Sequence, residues 1–179
     1  MDVRRVVTGH DGNGKAVFVS DEKVAPLQPR LLPGSEFHRL WGGDEAPKFP
    51  DDGSQPSGRN FFPPIGGYRF LWFTLPPAGA AASESLDPEA VAAEMEEKLP
   101  GLVSYMEPDA PGMHTTDTID FEVVLKGEVW LELDDGAEVH LKPGDTVVQN
   151  GTRHAWHNKG SEPAVLAAFI VGAHHDKIG

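Results

Sequence analysis

The stretch GMHTTDTIDFEVVLKGE, residues 112–128, decides the fold and raises the question of function. It sets a histidine, a run of threonines and acidic residues before an apolar strand pattern. Hydroxyls and carboxylates are costly to bury without partners, so an inward-facing segment of this composition should have a chemical role. We therefore expect a metal site inside a small β-barrel.

His114 and Asp120 carry the metal hypothesis within this stretch. They are six positions apart, an even number, which puts them on one face of a strand. On a straight strand they would nevertheless lie about 20 Å apart, whereas a metal ion needs its ligands at about 2.0–2.2 Å. The chain is therefore predicted to bend between them, within the letters TTDTI.

The remainder of the C-terminal half is nearly all strand and turn. Apolar and polar residues alternate, with breaks at Lys126-Gly127, Asp135-Gly136 and Pro143-Gly144. Closely spaced strands joined by turns predict an all-β sandwich or barrel. Without an internal repeat, one barrel with an N-terminal arm is favoured over two barrels.

The N-terminal half predicts more strands and one helix. VRRVVT and KAVFVS flank the turn-rich GHDGNG and predict a β-hairpin. EFHRLWGG and GYRFLWFTL predict two further strands, separated by a long loop rich in Pro, Gly and Asp. A loop of that length often covers a site or a partner.

The letters DPEAVAAEMEEKLPG predict the helix, with Asp87 as its N-cap. Val91, Met95 and Leu99 recur at a spacing of four and form an apolar stripe for packing. The predicted organisation is one structural domain in three parts. These are an N-terminal β-rich arm with the long loop at 1–85, the helix at 86–101 and the barrel core at 102–179.

Composition excludes several classes of function. With 39% hydrophobic and 24% charged residues in 179, the chain reads as globular. No apolar run approaches the roughly 20 residues that span a bilayer, and no signal peptide is visible, so a cytoplasmic location is the default. A net charge of −13 without a basic stripe argues against nucleic acid and strongly anionic substrates. The absence of cysteine rules out disulfides and thiolate ligands.

The opening stretch and a second one, PGDTVVQNGTRHAWHN at 143–158, together resemble the two motifs of the cupin superfamily. His114 matches the first histidine of the first motif, and Asp120 takes the place of its glutamate, six intervening residues before Gly127. In the second motif His154 and Asn158 match the histidine and the asparagine that follows it. The resemblance covers about residues 112–171 and implies a double-stranded β-helix, the cupin jelly-roll barrel.

The departures from the family pattern shape the predicted metal site. Thr116 stands where cupins usually have a second histidine, Asp120 is shorter than the usual glutamate, and Asn150 replaces the usual proline. His114, Asp120 and His154 remain as ligands. Two imidazoles and one carboxylate have the composition of the facial triad of non-haem Fe(II) oxygenases, although zinc, manganese or nickel can use the same ligands. Losing one histidine should weaken affinity and leave the site partly empty.

Four further residues are predicted to line the pocket. Glu122 lies two positions after Asp120 and Trp156 two after His154, so each shares the inward face of its strand. A buried Glu122 beside a carboxylate would have a raised pKa and serve as general acid or base. Gln149, Trp156 and Thr116 are candidates for contacts with substrate or a bound water.

The leading hypothesis is a metal-dependent cupin enzyme, an iron-dependent oxygenase acting on a small, largely uncharged organic molecule. Cupins host many activities, so two alternatives stay open. One is a ligand-binding cupin without turnover, and the other is metal-free acid–base catalysis by an isomerase or lyase in which His114 and Asp120 form a dyad. A homodimer is also expected, because the N-terminal strands need partners for their edges.

Overall fold

The computed structural model describes residues 2–79 and 87–176. Within them the chain is mostly β-strand with one α-helix, which confirms the predicted all-β class. No helix in these ranges has the length and apolarity needed to cross a bilayer. The elements are β1 (Val3–His10), β2 (Ala16–Val24), β3 (Glu36–Gly43), β4 (Tyr68–Leu75), α1 (Pro88–Lys98), β5 (Thr118–Lys126), β6 (Val129–Glu132), β7 (Glu138–Leu141), β8 (Thr146–Asn150), β9 (Ala155–His157) and β10 (Ala164–Gly172).

Two sheets form the barrel, and a third stands apart. The larger sheet has five strands in the order β3-β4-β10-β5-β8, and the smaller has three in the order β7-β6-β9. All the strand pairs are antiparallel. Strands β3 and β4 come from the N-terminal half, yet they extend the sheet that carries β5, because β4 pairs along its whole length with β10.

Strands β1 and β2 form the predicted hairpin as a separate two-stranded sheet. The Asp11 carboxylate closes its turn by accepting hydrogen bonds from the backbone N–H groups of Asn13 and Lys15, at 2.8 and 2.9 Å. Isolated hairpins are marginally stable in water. The hairpin therefore depends on contacts with the rest of the chain, such as that from the Arg5 guanidinium to the carbonyl of Leu40 at 2.8 Å.

Helix α1 begins and packs as the sequence predicts, although it is shorter than the range 86–101. The Asp87 carboxylate accepts the N–H of Glu89 at 3.2 Å and caps the first turn. Val91, Met95 and Leu99 are all buried, which confirms the apolar stripe. The predicted boundary at 85–86 and the last three positions of 102–179 fall outside the described residues.

Strand β5 carries polar side chains on the face of the five-stranded sheet that is turned to the barrel interior. Thr118, Asp120, Glu122 and Val124 alternate along it and are buried, whereas Phe121 between them is exposed. Because successive side chains of a strand point to opposite faces, the four buried residues share the inward face. Three of these four are polar, so β5 is the strand on which a site is expected.

Candidate active site

Two histidines meet where the segment before β5 crosses the segment before β9. The backbone of His114 exchanges hydrogen bonds with that of His154, at 3.0 and 2.9 Å. Their rings lie 4.1 Å apart between centroids, with an angle of 47° between the planes. The chain bends at Asp117, inside the predicted TTDTI segment, before β5 begins.

Both imidazoles are held with the same nitrogen turned toward the backbone. Nδ1 of His114 lies 3.0 Å from the carbonyl of Gly112, and Nδ1 of His154 lies 2.9 Å from that of Thr152. A carbonyl only accepts, so each Nδ1 carries the proton, and a neutral ring keeps its lone pair on Nε2. Burial lowers the pKa of His114. Burial and the neighbouring His114 lower the pKa of His154 to about 4. Both rings are therefore neutral at pH 7, the form that binds metal ions.

A pair of carboxyl groups lies on β5. Oδ1 of Asp120 and Oε2 of Glu122 are buried and have no hydrogen-bond partner. Burial raises the pKa of Asp120 to about 6, and a hydrogen bond from Thr118 opposes the rise. Burial, reinforced by the charge of Asp120, raises the pKa of Glu122 to about 8. Near neutral pH Glu122 therefore holds a proton while Asp120 is largely ionised.

Gln149 and Thr116 lie beside these groups and are already engaged. Gln149 stands directly opposite Asp120 in the β5–β8 register. Its side chain accepts from the Thr152 hydroxyl at 2.5 Å and donates to the Thr152 carbonyl at 3.2 Å. The Thr116 hydroxyl is 2.8 Å from that of Thr118, and both are buried. Gln149 thus shapes the turn before His154, and one amide N–H and one lone pair of its oxygen are not used in these two bonds.

Trp156 borders the histidine pair. Its ring meets that of His154 edge-on, 6.3 Å between centroids at 88°, and it packs against the core. His157, the next residue of β9, contacts the carboxylate of Glu132 on the neighbouring strand β6. Trp156 therefore forms an apolar wall for the site.

The donor atoms of the three predicted ligands are of the types that bind a metal ion, but they do not lie within the distance of one another that a shared ion requires. Two neutral imidazoles with free Nε2 atoms and a buried carboxylate oxygen without a partner suit a divalent cation. Across the described residues, however, Glu132, Glu138 and His157 form the one group of three or more with all ligand atoms within 4.8 Å of one another. His114, Asp120 and His154 form no such group, so their side chains would have to close around an ion.

The family model for the cupin domain matches residues 102–171, the region that holds the histidine pair and the carboxyl pair. This match supports the cupin superfamily for residues 102–171 of the chain. Its double-stranded β-helix, expected from the two motifs, is thereby confirmed as the fold of this region.

The relatives of this chain include fungal proteins. Oryzines biosynthesis cluster protein J of Aspergillus oryzae is 40% identical over 69 residues, 38% of each chain. Phomopsin biosynthesis cluster protein C' of Diaporthe leptostromiformis is 53% identical over 59 residues, 33% of this chain and 31% of that one. These matches span only about a third of the relatives' own length.

A longer match is the cupin-domain-containing oxidoreductase srdB of Neurospora crassa, 29% identical over 172 residues, 95% of this chain and 73% of that one. Among solved structures, a predicted oxalate decarboxylase from Thermotoga maritima aligns with a TM-score of 0.45 and 16% identity, over 83% of this chain and 93% of that one.

Sequence reasoning missed an ion pair beside the histidine pair. Arg153 binds both oxygens of Glu107 at 2.7 Å and reaches Asp134 at 3.0 Å. The backbone N–H of Glu107 donates to the carbonyl of Met113 at 2.9 Å, so the pair fastens the segment that carries His114. The position of Arg153 next to the motif histidine His154 could have marked it as a candidate. Nothing in the sequence indicated that its partner would be Glu107, 46 residues away.

Proposed function

We propose that this cupin is a metal-dependent oxidoreductase that acts on a small, largely uncharged organic molecule. In this proposal His114, Asp120 and His154 hold a divalent ion. One observation carries this proposal: the inward-facing groups of the site include lone-pair atoms to which the surrounding protein donates no hydrogen bond. Oδ1 of the largely ionised Asp120 is buried without a partner, and both imidazoles present Nε2 as an acceptor.

A cation relieves such a cluster because it satisfies several lone pairs at once, whereas a water molecule can donate only two hydrogens. Two histidines and one carboxylate leave coordination positions open, as in the facial triad of non-haem Fe(II) oxygenases, and we take Fe(II) as the proposed ion, with zinc, manganese and nickel as alternatives. Bound iron would supply the activation of dioxygen. The names of relatives support this class: three are called cupin-domain-containing oxidoreductases, and two others belong to the oryzines and phomopsin biosynthesis clusters.

The chain's own residues have separate tasks in this scheme. Glu122 holds a proton on its carboxyl group near neutral pH and can deliver it to, or take it from, a substrate oxygen. Trp156 offers an apolar surface to the body of the substrate. Gln149 and Thr116 keep the turns around the histidines in place, and the buried inward face of β5 limits access of water.

A second candidate function is metal-free acid–base catalysis. The observation in its favour is that the three ligand side chains are not gathered around one point, while Asp120 and Glu122 lie on the same strand face. One carboxyl then donates a proton as the other accepts one. The hydrogen bonds described for His114 go to Gly112 and to the backbone of His154, so they offer no support for a His114–Asp120 dyad.

We also propose that the protein acts as a homodimer. The outer face of the five-stranded sheet carries a row of exposed apolar side chains in direct register across four strands, Phe70, Phe169, Phe121 and Val148. The hairpin adds Phe18, which is 81% exposed. Packing of this face on a second copy would remove these side chains from water. Analytical ultracentrifugation of the wild type and of Phe121→Asp tests it: a dimer that the substitution dissociates supports the proposal, and a wild-type monomer overturns it.

The metal proposal is tested by equilibrium dialysis of apoprotein against Fe(II) under anaerobic conditions, and against Zn(II), followed by elemental analysis. We expect about one ion per chain, lost in His154→Ala and retained in His10→Ala, a histidine of the hairpin. Stoichiometry unchanged in His154→Ala would show that the ligands are elsewhere. No binding by the wild type would reject the metal enzyme and favour the acid–base alternative.

A further inference from the structure

The segment that follows β10 returns to the two turns that carry the candidate ligands. The backbone N–H of Ala173 donates to the carbonyl of Asp117 at 2.9 Å. Nε2 of His175 lies 3.2 Å from the carbonyl of Gly151, and its Nδ1 lies 3.7 Å from the carboxylate of Asp117. One short stretch, residues 173–175, therefore contacts both turns.

These contacts fall close to the candidate ligands along the chain. Asp117 marks the bend between His114 and Asp120 and is three residues from each. Gly151 lies in the turn between β8 and β9, three residues before His154. The stretch after β10 therefore holds the backbone within three residues of all three candidate ligands.

The two turns also touch each other, and the touching point is Gly151. This glycine has a φ of 61°, in the left-handed region. A Cβ added to it would lie 3.2 Å from the carbonyl oxygen of Thr116 and 3.4 Å from that of Thr118. The same Cβ would lie 3.2 Å from a ring carbon of His175. The imidazole thus lies over the junction of the two turns, at the position where a glycine allows them to approach.

Only one residue separates this contact from the carbonyl that orients a candidate ligand. A carbonyl only accepts hydrogen bonds, so Nε2 of His175 carries the proton that it donates to Gly151. The next carbonyl along the chain, that of Thr152, accepts from Nδ1 of His154 at 2.9 Å. The orientation of the His154 ring therefore depends on the conformation of a turn that His175 holds.

A fixed frame matters at this site because the ligand side chains have to move to bind an ion. In the part of the chain that the structure describes, His114, Asp120 and His154 form no group with all ligand atoms within 4.8 Å of one another. Ordering a loose backbone costs conformational entropy, which would be added to the cost of that movement. Turns that are already held leave only side-chain rotations to be made.

We propose that His175 is a positioning residue for the metal site. Its imidazole clamps the turn at Gly151 to the bend at Asp117 and thereby limits how far the ligand side chains must move to reach one ion. This inference rests on the proposed function, since it concerns the same site. His175 is not itself a ligand in this scheme, because its two ring nitrogens face Gly151 and Asp117.

The first test compares His175→Ala with His174→Ala, a change at the exposed neighbouring histidine. The side chain of His175 is 29% exposed, so both variants should fold, which thermal unfolding in EDTA checks. In the metal-free protein, ¹⁵N NMR of the imidazole nitrogens of His114 and His154 reports the environment of the two rings. We expect these signals to shift or broaden in His175→Ala and to stay in place in His174→Ala.

Equilibrium dialysis against Co(II), whose d–d absorption also reports ligand geometry, gives a second readout. Only the ion that is lost in His154→Ala is counted. We expect His175→Ala to bind it about ten-fold more weakly, the lower end of the range for outer partners of metal ligands. His175→Gln, whose amide N–H can donate to the Gly151 carbonyl, should recover most of the affinity and the wild-type spectrum.

Unchanged ring signals in His175→Ala, or a Co(II) affinity equal to that of His174→Ala, would overturn the proposal. So would a glutamine variant as weak as the alanine variant, because the hydrogen bond to Gly151 would then not be the cause. If the wild type binds no Co(II) at the histidine pair, the proposed function fails, and the NMR comparison in EDTA still decides the role of His175.

Discussion

Asp120 and Glu122 stand two residues apart on the inward face of β5, and each buries a carboxylate oxygen that accepts no hydrogen bond. Two such groups on one strand face destabilise a fold, because burial and mutual repulsion both disfavour ionisation. An apolar pair in their place would pack more favourably. The position is therefore one where the sequence departs from what stability alone would select, which is typical of functional sites.

The carboxyl pair makes the stability of the metal-free protein depend on pH. Both folded-state pKa values, about 6 and about 8, are raised above the ordinary values of 3.8 and 4.5. The folded protein therefore binds more protons than the unfolded chain between about pH 4 and pH 8. The two carboxyl groups therefore contribute their full share to the free energy of unfolding below about pH 4, and this contribution is lost as the pH rises toward 8. Glu122→Gln should flatten this decline and stabilise the protein at pH 8 by on the order of 2 kcal/mol.

Urea unfolding at a series of pH values in EDTA measures this effect. Glu97→Gln, which changes an exposed glutamate of α1, is the matched control and should leave the slope unchanged. If wild type and Glu122→Gln lose stability in parallel as the pH rises, Glu122 is not the buried acid responsible.

Arg153 should position the histidine pair through Glu107. The ion pair is partly exposed, so Arg153→Gln is expected to cost only about 1 kcal/mol of global stability. Locally, the N–H of His114, which donates to the carbonyl of His154 at 3.0 Å, should exchange with solvent faster. Hydrogen exchange of residues 106–118 checks this. Arg4→Gln, which removes an exposed ion pair of the hairpin, should leave that exchange unaltered.

Local patterns allowed much of the fold to be predicted. The hairpin follows from the turn letters between two strand patterns, and α1 follows from the Asp87 cap and a spacing of four. The two motifs also indicated His114 and His154, whose rings the structure places 4.1 Å apart. The sequence also indicated the inward position of Glu122, through the period of two along a strand.

Features built from distant segments could not be predicted in this way. The pairing of Arg153 with Glu107 depends on how the segment before β5 lies beside the segment before β9, and local periodicity carries no such information. A cleft beside the hairpin combines β1 with β4 and β10, which are separated by most of the chain. Spacing also could not reveal that Gln149 would use its amide on Thr152, since that bond arises only when the turn forms.

Gly172 is predicted to tolerate no side chain. A Cβ added there would lie 1.9 Å from the carbonyl oxygen of Pro64, a backbone atom that cannot move aside cheaply. The glycine also donates to the carbonyl of Gly67 at 3.0 Å, so the end of β10 is tied to this loop. Gly172→Ala should destabilise the protein by about 1–3 kcal/mol, as over-packing usually does. Thermal unfolding checks this against Gly12→Ala, where the new Cβ meets nothing within 4 Å; equal melting temperatures would contradict the close contact.

Asn158, the asparagine of the second motif, should act on stability and leave metal binding unchanged. Its Nδ2 donates to the carbonyls of Leu75 and Glu162 at 2.9 and 2.8 Å, and its Oδ1 accepts from Gly160 at 2.9 Å. Asn158→Ala leaves those buried backbone groups unsatisfied and should cost about 2–4 kcal/mol in urea unfolding.

Asn158→Asp refines this prediction, because a carboxylate facing two carbonyls must take up a proton to donate. Its stability should approach that of the wild type at low pH and fall as the pH rises above the ordinary range of an aspartate. Asn13→Ala, in the hairpin turn, is the control and should change stability little. Loss of metal from Asn158→Ala under conditions where the variant remains folded would instead place the asparagine in the binding site, because hydrogen bonds to the backbone alone cannot alter the ligands.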